Sequence, residues 1–182
     1  MAETIQVRMG GFGGQGIVLM GMILGDAAVR SGLWAAGSNS YGAQARGSAC
    51  RSEVILSPDP VDFPHVLEAD YLISMSQEAY ERYRLALGPR GMIVYDDPLV
   101  RMDARESHPH YPVPATQRAV EELGSRQVAN VVLLAATVAL AEIVPRDALT
   151  AAVQQGVASR FKEVNMRALK MGFRLGEERR HA

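Results

Sequence analysis

The chain has 182 residues, with Lys+Arg 19 against Asp+Glu 20, and 48% of it is hydrophobic. That length suits one domain with a sizeable core, and the near-neutral balance argues against a nucleic-acid surface or a basic membrane-facing run. The single cysteine, Cys50, excludes an internal disulfide framework and an iron–sulfur cluster ligated by this chain alone.

That cysteine usage makes a cytoplasmic setting the expectation, and the opening Met1-Ala2-Glu3-Thr4 lacks the basic, apolar, small-residue order of a secretory signal. Ile5 to Met9 reads as the first strand. The glycine-rich run Gly10-Gly11-Phe12-Gly13-Gly14-Gln15-Gly16 follows as a loop, and Gly16 to Ser31 as the first helix. Leu33 to Ala36 reads as a second strand that leads into a small, polar loop through Ser40 to Gly47. Ala49 to Leu56 reads as a third, stopped by Ser57-Pro58-Asp59-Pro60. Tyr71 to Met75 is a continuous apolar run of the kind found in buried parallel strands. A helix over Glu78 to Leu87, ended by Gly88-Pro89, precedes a strand at Gly91 to Tyr95.

Prolines at 98, 109, 112 and 114 predict an irregular connection with a short edge strand at Tyr111-Pro112-Val113. Helices are then expected over 117–123, 126–143, 146–158 and 161–174. Val128 to Val144 is largely apolar, but Asn130 and Glu142 interrupt it, and it falls short of the roughly 20 residues that span a bilayer. Strands alternating with helices predict an open, mostly parallel doubly wound α/β sheet with a helical C-terminal third, in one domain over residues 1–182.

Gly11, Gly13 and Gly16 satisfy G-x-G-x-x-G, with a strand before and a helix after. Such a loop turns backbone N–H groups toward an anion, and the helix N-terminus adds partial positive charge. The competing reading is a tight turn that only packs helix on strand. Gln15, the one polar side chain inside, either reaches a ligand or caps the loop. A dinucleotide site would place an acid near the end of the second strand, and Trp34 to Ser40 contains none, nor an Arg for a 2′-phosphate.

Ser40, Tyr41, Gly42, Arg46 and Gly47 follow the second strand at the sheet edge where ligands bind. Arg46 either grips a phosphate or carboxylate or pairs with an acid such as Glu53. Ser76 and Gln77 end the central strand at the same edge, and either meet a ligand or cap the next helix. His108-Pro109-His110 lacks a matching ligand set and reads as a solvated loop, so no metal site is expected. Asp96-Asp97 read as turn residues, Cys50 as a small buried side chain, and Asn130 as a buried amide or a contact to a neighbouring chain.

The glycine run, together with Ser40-Tyr41-Gly42-x-x-x-Arg46-Gly47, resembles the gamma subunit of 2-oxoacid:ferredoxin oxidoreductases. The likeness extends through Val54 to Ser57, Ala69 to Ile73, Ser76 to Tyr80 and Glu163 to Leu169, and Met75 to Tyr80 is most similar to the 2-oxoglutarate type. What the resemblance implies is a subunit of a complex that oxidatively decarboxylates a 2-oxoacid to an acyl-CoA and reduces ferredoxin. Thiamine diphosphate with Mg would lie between alpha and beta subunits, and iron–sulfur clusters on those chains or on a ferredoxin-like delta subunit. This chain would bind coenzyme A and be inactive alone, with Gly11, Phe12, Gly13, Gly14, Gln15 and Gly16 on its phosphates. The loop from Ser40 to Gly47 would face the thiamine site, and Ser76 and Gln77 the CoA nucleoside. A pyruvate- or indolepyruvate-specific member, a stand-alone NAD(P) oxidoreductase and a non-catalytic assembly subunit are the other readings.

Overall fold

The computed structural model describes residues 3–42 and 48–181. Within these residues six strands form one sheet in the order β2-β3-β1-β4-β5-β6: β1 Ile5–Phe12, β2 Trp34–Tyr41, β3 Ala49–Ser57, β4 Ala69–Ser74, β5 Leu87–Asp96 and β6 His110–Val113. β1, β4, β5 and β6 are mutually parallel, whereas β3 runs antiparallel to both β1 and β2. The reversal follows from connectivity: the short β2–β3 link closes a hairpin, which only antiparallel neighbours allow.

Among the described residues six helices cover the sheet: α1 Ile17–Arg30, α2 Gln77–Tyr83, α3 Ala115–Leu123, α4 Ala129–Ala141, α5 Arg146–Gly156 and α6 Lys162–Arg180. Val7, Met9, Val54, Leu56, Ile73 and Val94 face α1 and α4, forming the main core. Leu72, Ile93 and Tyr95 face the other way and pack against Ala79, Tyr80 and Tyr83 of α2. The alternation along each strand assigns its side chains to the two layers. Helix α4 is buried along nearly its whole length, because α6 lies across its outer side. The apolar stretch Val128 to Val144 thus supplies a buried helix, and among the described residues no helix is long and apolar enough to cross a membrane.

Several boundaries differ from the sequence expectation. β1 continues through Gly10, Gly11 and Phe12, and β2 through Ser40 and Tyr41, because β3 offers backbone partners all the way to Ala49. Pairing outweighs the poor strand propensity of glycine and serine here. α2 ends at Tyr83, followed by a 3-10 turn at Arg84–Ala86, and Gly88-Pro89 lie inside β5 rather than ending a helix. The His108-Pro109-His110 segment is not a solvated loop. His108 Nδ1 lies 2.6 Å from Glu106 Oε1, and His110 Nε2 lies 3.0 Å from the Tyr80 hydroxyl.

Candidate functional site

The turn between β1 and α1 is only Gly13-Gly14-Gln15-Gly16. Gly14 has φ 96° and Gly16 φ 77°, left-handed values that side chains make costly. Gly10 and Gly11 serve close packing instead: a Cβ on Gly10 would press on Ala79 and Tyr83, and one on Gly11 on Gln15 and Ile17. The glycines thus make a tight turn in one half of the run and close packing in the other.

Gln15 caps the loop. Its Oε1 accepts from Phe12 N–H at 2.5 Å, while its Nε2 donates to the Met75 carbonyl at 2.9 Å. That clamp ties the turn to the carboxyl end of β4. On the other side Asn130, on the first turn of α4, donates to the Gly16 carbonyl at 3.2 Å. Asn130 is thus a satisfied buried amide within the chain. Gly16 stands at the N-cap of α1 with no side-chain cap among the described residues, and the helix's first turn holds no acid. Gly14 is exposed, and a Cβ built there meets nothing within 4 Å among the described residues, so they leave space open over the turn. Gly13 and Gln15 N–H are taken by the Ser48 and Phe12 carbonyls, so the uncapped start of α1, with its first-turn N–H groups and dipole, is what favours an anion here.

The hairpin end of β2 and β3 flanks the turn. Gly13 N–H donates to the Ser48 carbonyl at 2.8 Å, and Gly42 N–H to the Ala49 carbonyl at 3.1 Å. Tyr41, Cys50 and Gly11 occupy one row across β2, β3 and β1, and Ser40, Arg51 and Gly10 the next. Ser40, Tyr41 and Gly42 are therefore brought beside the glycine turn, with the Tyr41 side chain exposed. Arg46 and Gly47 lie outside the described residues. Cys50 is buried, and burial pushes its thiol up from the ordinary range, opposed by the Val18 backbone N–H.

Ser76 accepts from Ala79 N–H at 3.2 Å and N-caps α2. Gln77 accepts from Arg101 N–H at 2.7 Å and donates to Glu81 at 3.0 Å, so its amide is occupied within the chain. Asp96 accepts from Thr116 N–H and Oγ1 and holds the start of α3; burial raises its carboxyl above the usual range despite these bonds. Sequence reasoning passed over Arg51 and Arg82 beside the turn. Only the β1–β3 register and the α2 helical phase place them there. Among the described residues no group of His, Cys, Asp and Glu is arranged to hold a metal ion.

A mostly parallel six-stranded sheet flanked by helices, with a glycine turn at the carboxyl end of β1, defines an open α/β domain. The chain belongs to the pyruvate ferredoxin/flavodoxin oxidoreductase family, whose model matches residues 6–175. It is 38% identical over 176 residues to 2-oxoglutarate synthase subunit KorC of Methanocaldococcus jannaschii, covering 95% of this chain and 94% of that protein. Among solved structures it resembles the keto/oxoacid ferredoxin oxidoreductase gamma subunit of Geobacter sulfurreducens, with TM-score 0.88, 35% identity, and coverage of 98% and 99%. The fold also recurs in 32% of a longer chain, the 2-oxoglutarate:ferredoxin oxidoreductase of Magnetococcus marinus, at TM-score 0.86 and 23% identity over 98% of this chain. The resemblance drawn from the glycine run and the Ser40 loop holds: this is a gamma-type subunit of an oxoacid oxidoreductase.

Proposed function

We propose that this chain binds coenzyme A for a complex that converts 2-oxoglutarate to succinyl-CoA and reduces ferredoxin. The observation that carries the proposal is the uncapped start of α1 behind Gly14 and Gly16, open above and clamped by Gln15 and Asn130. The residues fit a diphosphate: backbone donors, no competing acid, and room for a chain of atoms to approach. Gly13, Gly14 and Gly16 would meet the phosphates, Gln15 would hold the turn, and Phe12 would end the strand beneath it. Ser40, Tyr41 and Gly42, with Arg46 and Gly47, would flank the ligand's path toward the partner subunits, and Ser76 and Gln77 would border its nucleoside end.

CoA supplies the thiol that accepts the acyl group. This chain contributes proximity, holding the carrier so that its thiol reaches a site on another subunit. With one cysteine it cannot ligate an iron–sulfur cluster alone, and, as the family resemblance implies, thiamine diphosphate with Mg and the clusters would lie on partner subunits: alpha, beta and a ferredoxin-like delta. The 2-oxoglutarate assignment is supported by relatives named as 2-oxoglutarate synthase subunits at 38%, 34%, 36% and 31% identity. Residues 1–182 are read as one gamma-type domain acting in the cytoplasm.

The complex copurified through this chain tests the reading. Turnover of 2-oxoglutarate should exceed that of pyruvate and indolepyruvate, and the Gly13→Val complex should lose CoA use while still decarboxylating. Failure to copurify with thiamine-binding and iron–sulfur chains, or equal loss of both steps in Gly13→Val, would overturn it.

A further inference from the structure

On the α2 side of the sheet, three guanidinium groups surround one aromatic ring. Arg8, Arg51 and Arg82 lie 5.8, 5.8 and 5.7 Å from the centroid of Tyr83. Their electrostatic situations differ. Arg8 is buried and spent: its Nε donates to Glu53 at 2.7 Å, and its other nitrogens donate to the carbonyls of Ala86 and Val66. Arg51 is half-open and stands 3.7 Å from the same Glu53, whose charge Arg8 already balances. Arg82 is exposed on the last turn of α2 and, among the described residues, enters no ion pair. Two cations thus remain available to solvent, braced by a buried ring that limits their rotamers.

Their placement relates to the glycine turn. Arg51 pairs with Gly10 on one side and Ser40 on the other. Arg82 and Tyr83 line a small hollow with Gly11, Ala49 and Cys50, so both cations stand at the level of the last residues of β1. The turn begins two to three residues further on, roughly 7–10 Å along the strand at its ordinary rise. α2 packs on β1 and β4, and Ser40 and Arg51 lie on the strands beside it. Glu78 also lines the hollow, and with Glu53 matched by Arg8 the shelf keeps a net positive charge.

We propose that Arg82 and Arg51 form a second anion grip that takes the 3′-phosphomonoester of the nucleotide whose diphosphate lies on the glycine turn. The inference rests on the CoA reading of that turn. A phosphomonoester is the more highly charged end of the ligand, and a planar guanidinium matches it with two parallel N–H donors. Ser40, beside Arg51, adds a hydroxyl. The pair would make the subunit discriminate CoA from its analogue without the 3′-phosphate.

The assembled complex should be titrated with CoA and with dephospho-CoA, in wild type, Arg82→Gln, Arg51→Lys and Gly14→Val forms. Arg82→Gln should weaken CoA about tenfold, the cost of one charge-assisted hydrogen bond, and leave dephospho-CoA at the wild-type value. Arg51→Lys, which keeps the charge near Glu53 and so the fold, should reproduce part of that selective loss. Adenosine 3′,5′-bisphosphate should compete with CoA in wild type and less well in Arg82→Gln. Unchanged discrimination in Arg82→Gln, with Gly14→Val still losing both ligands, would overturn the grip and leave the CoA reading standing. Unchanged binding of both ligands in Gly14→Val would remove the CoA reading itself. Slower ferredoxin reduction or weaker assembly in Arg82→Gln, with nucleotide binding intact, would make the shelf a protein-docking surface and overturn the proposal.

Discussion

Asn130 Nδ2 donates to the carbonyl oxygen of Gly16 at 3.2 Å, joining the first turn of α4 to the start of α1 across 114 residues. A Cβ on Gly16 would collide with that same amide, so the two residues specify each other. Asn130→Ala should destabilise the chain by about 1–2 kcal/mol through the lost bond and space. It should also raise the CoA KM of the complex more than the 2-oxoacid KM. Urea unfolding and steady-state kinetics check the two parts; an unchanged CoA KM in a folded complex would show that the bond serves stability only.

The α4–α6 contact makes an unusual prediction for glycine. Gly172 and Gly176 of α6 sit directly on the backbone and alanines of α4, where added Cβ atoms would meet Val132, Ala135, Ala136 and Ala139. In an exposed helix, Gly→Ala gains up to about 1 kcal/mol of propensity. Here Gly172→Ala and Gly176→Ala should each destabilise by about 1–3 kcal/mol, because neither backbone can yield. Denaturant midpoints at constant slope would establish this, and a stabilised variant would contradict the packing.

Arg8 and Glu53 form a buried pair whose removal should be asymmetric. Deleting Arg8 leaves the buried Glu53 carboxylate only the longer contact with Arg51 at 3.7 Å, so Arg8→Met alone should cost about 3 kcal/mol. Arg8→Met combined with Glu53→Leu should recover a large part of that loss. A double-mutant cycle from urea unfolding measures the coupling, and simple additivity would deny it.

The Glu106 cluster should give the fold an acid-sensitive contribution. Burial opposes ionisation of Glu106, but hydrogen bonds from His108 and Arg84 outweigh it and lower its pKa from 4.5 to about 2. Asp103 is likewise lowered to about 2, chiefly by its hydrogen bonds to Arg105. A carboxylate with a depressed folded-state pKa stabilises fully above the unfolded value and loses that effect as pH falls through the folded one. The melting difference between wild type and Glu106→Gln should therefore be full above pH 4.5 and vanish toward pH 2. A difference independent of pH across that window would exclude the linkage.

Much of this was legible in the chain because the signals were local. The period-two strands, the apolar α4 and the glycine run before a helix each depend on residues close in sequence. Strand ends were not legible at Gly10–Phe12 and Ser40–Tyr41, where propensity favours a loop but the hairpin partner β3 imposes extended pairing. Gln15 was readable as ligand or cap; the Met75 carbonyl, 60 positions away, decides for the cap.

The sequence by itself determined the fold class, the family and the glycine turn's position, since each follows from the order of residues along one segment or from motifs kept at fixed spacing. Tertiary structure alone decided that β3 runs against its neighbours, that Asn130 and Gln15 clamp the turn from opposite sides, and that Arg51 and Arg82 meet over Tyr83. Those relationships depend on strand register and helix phase, which arise only when distant segments compete for the same buried surface and the same backbone partners.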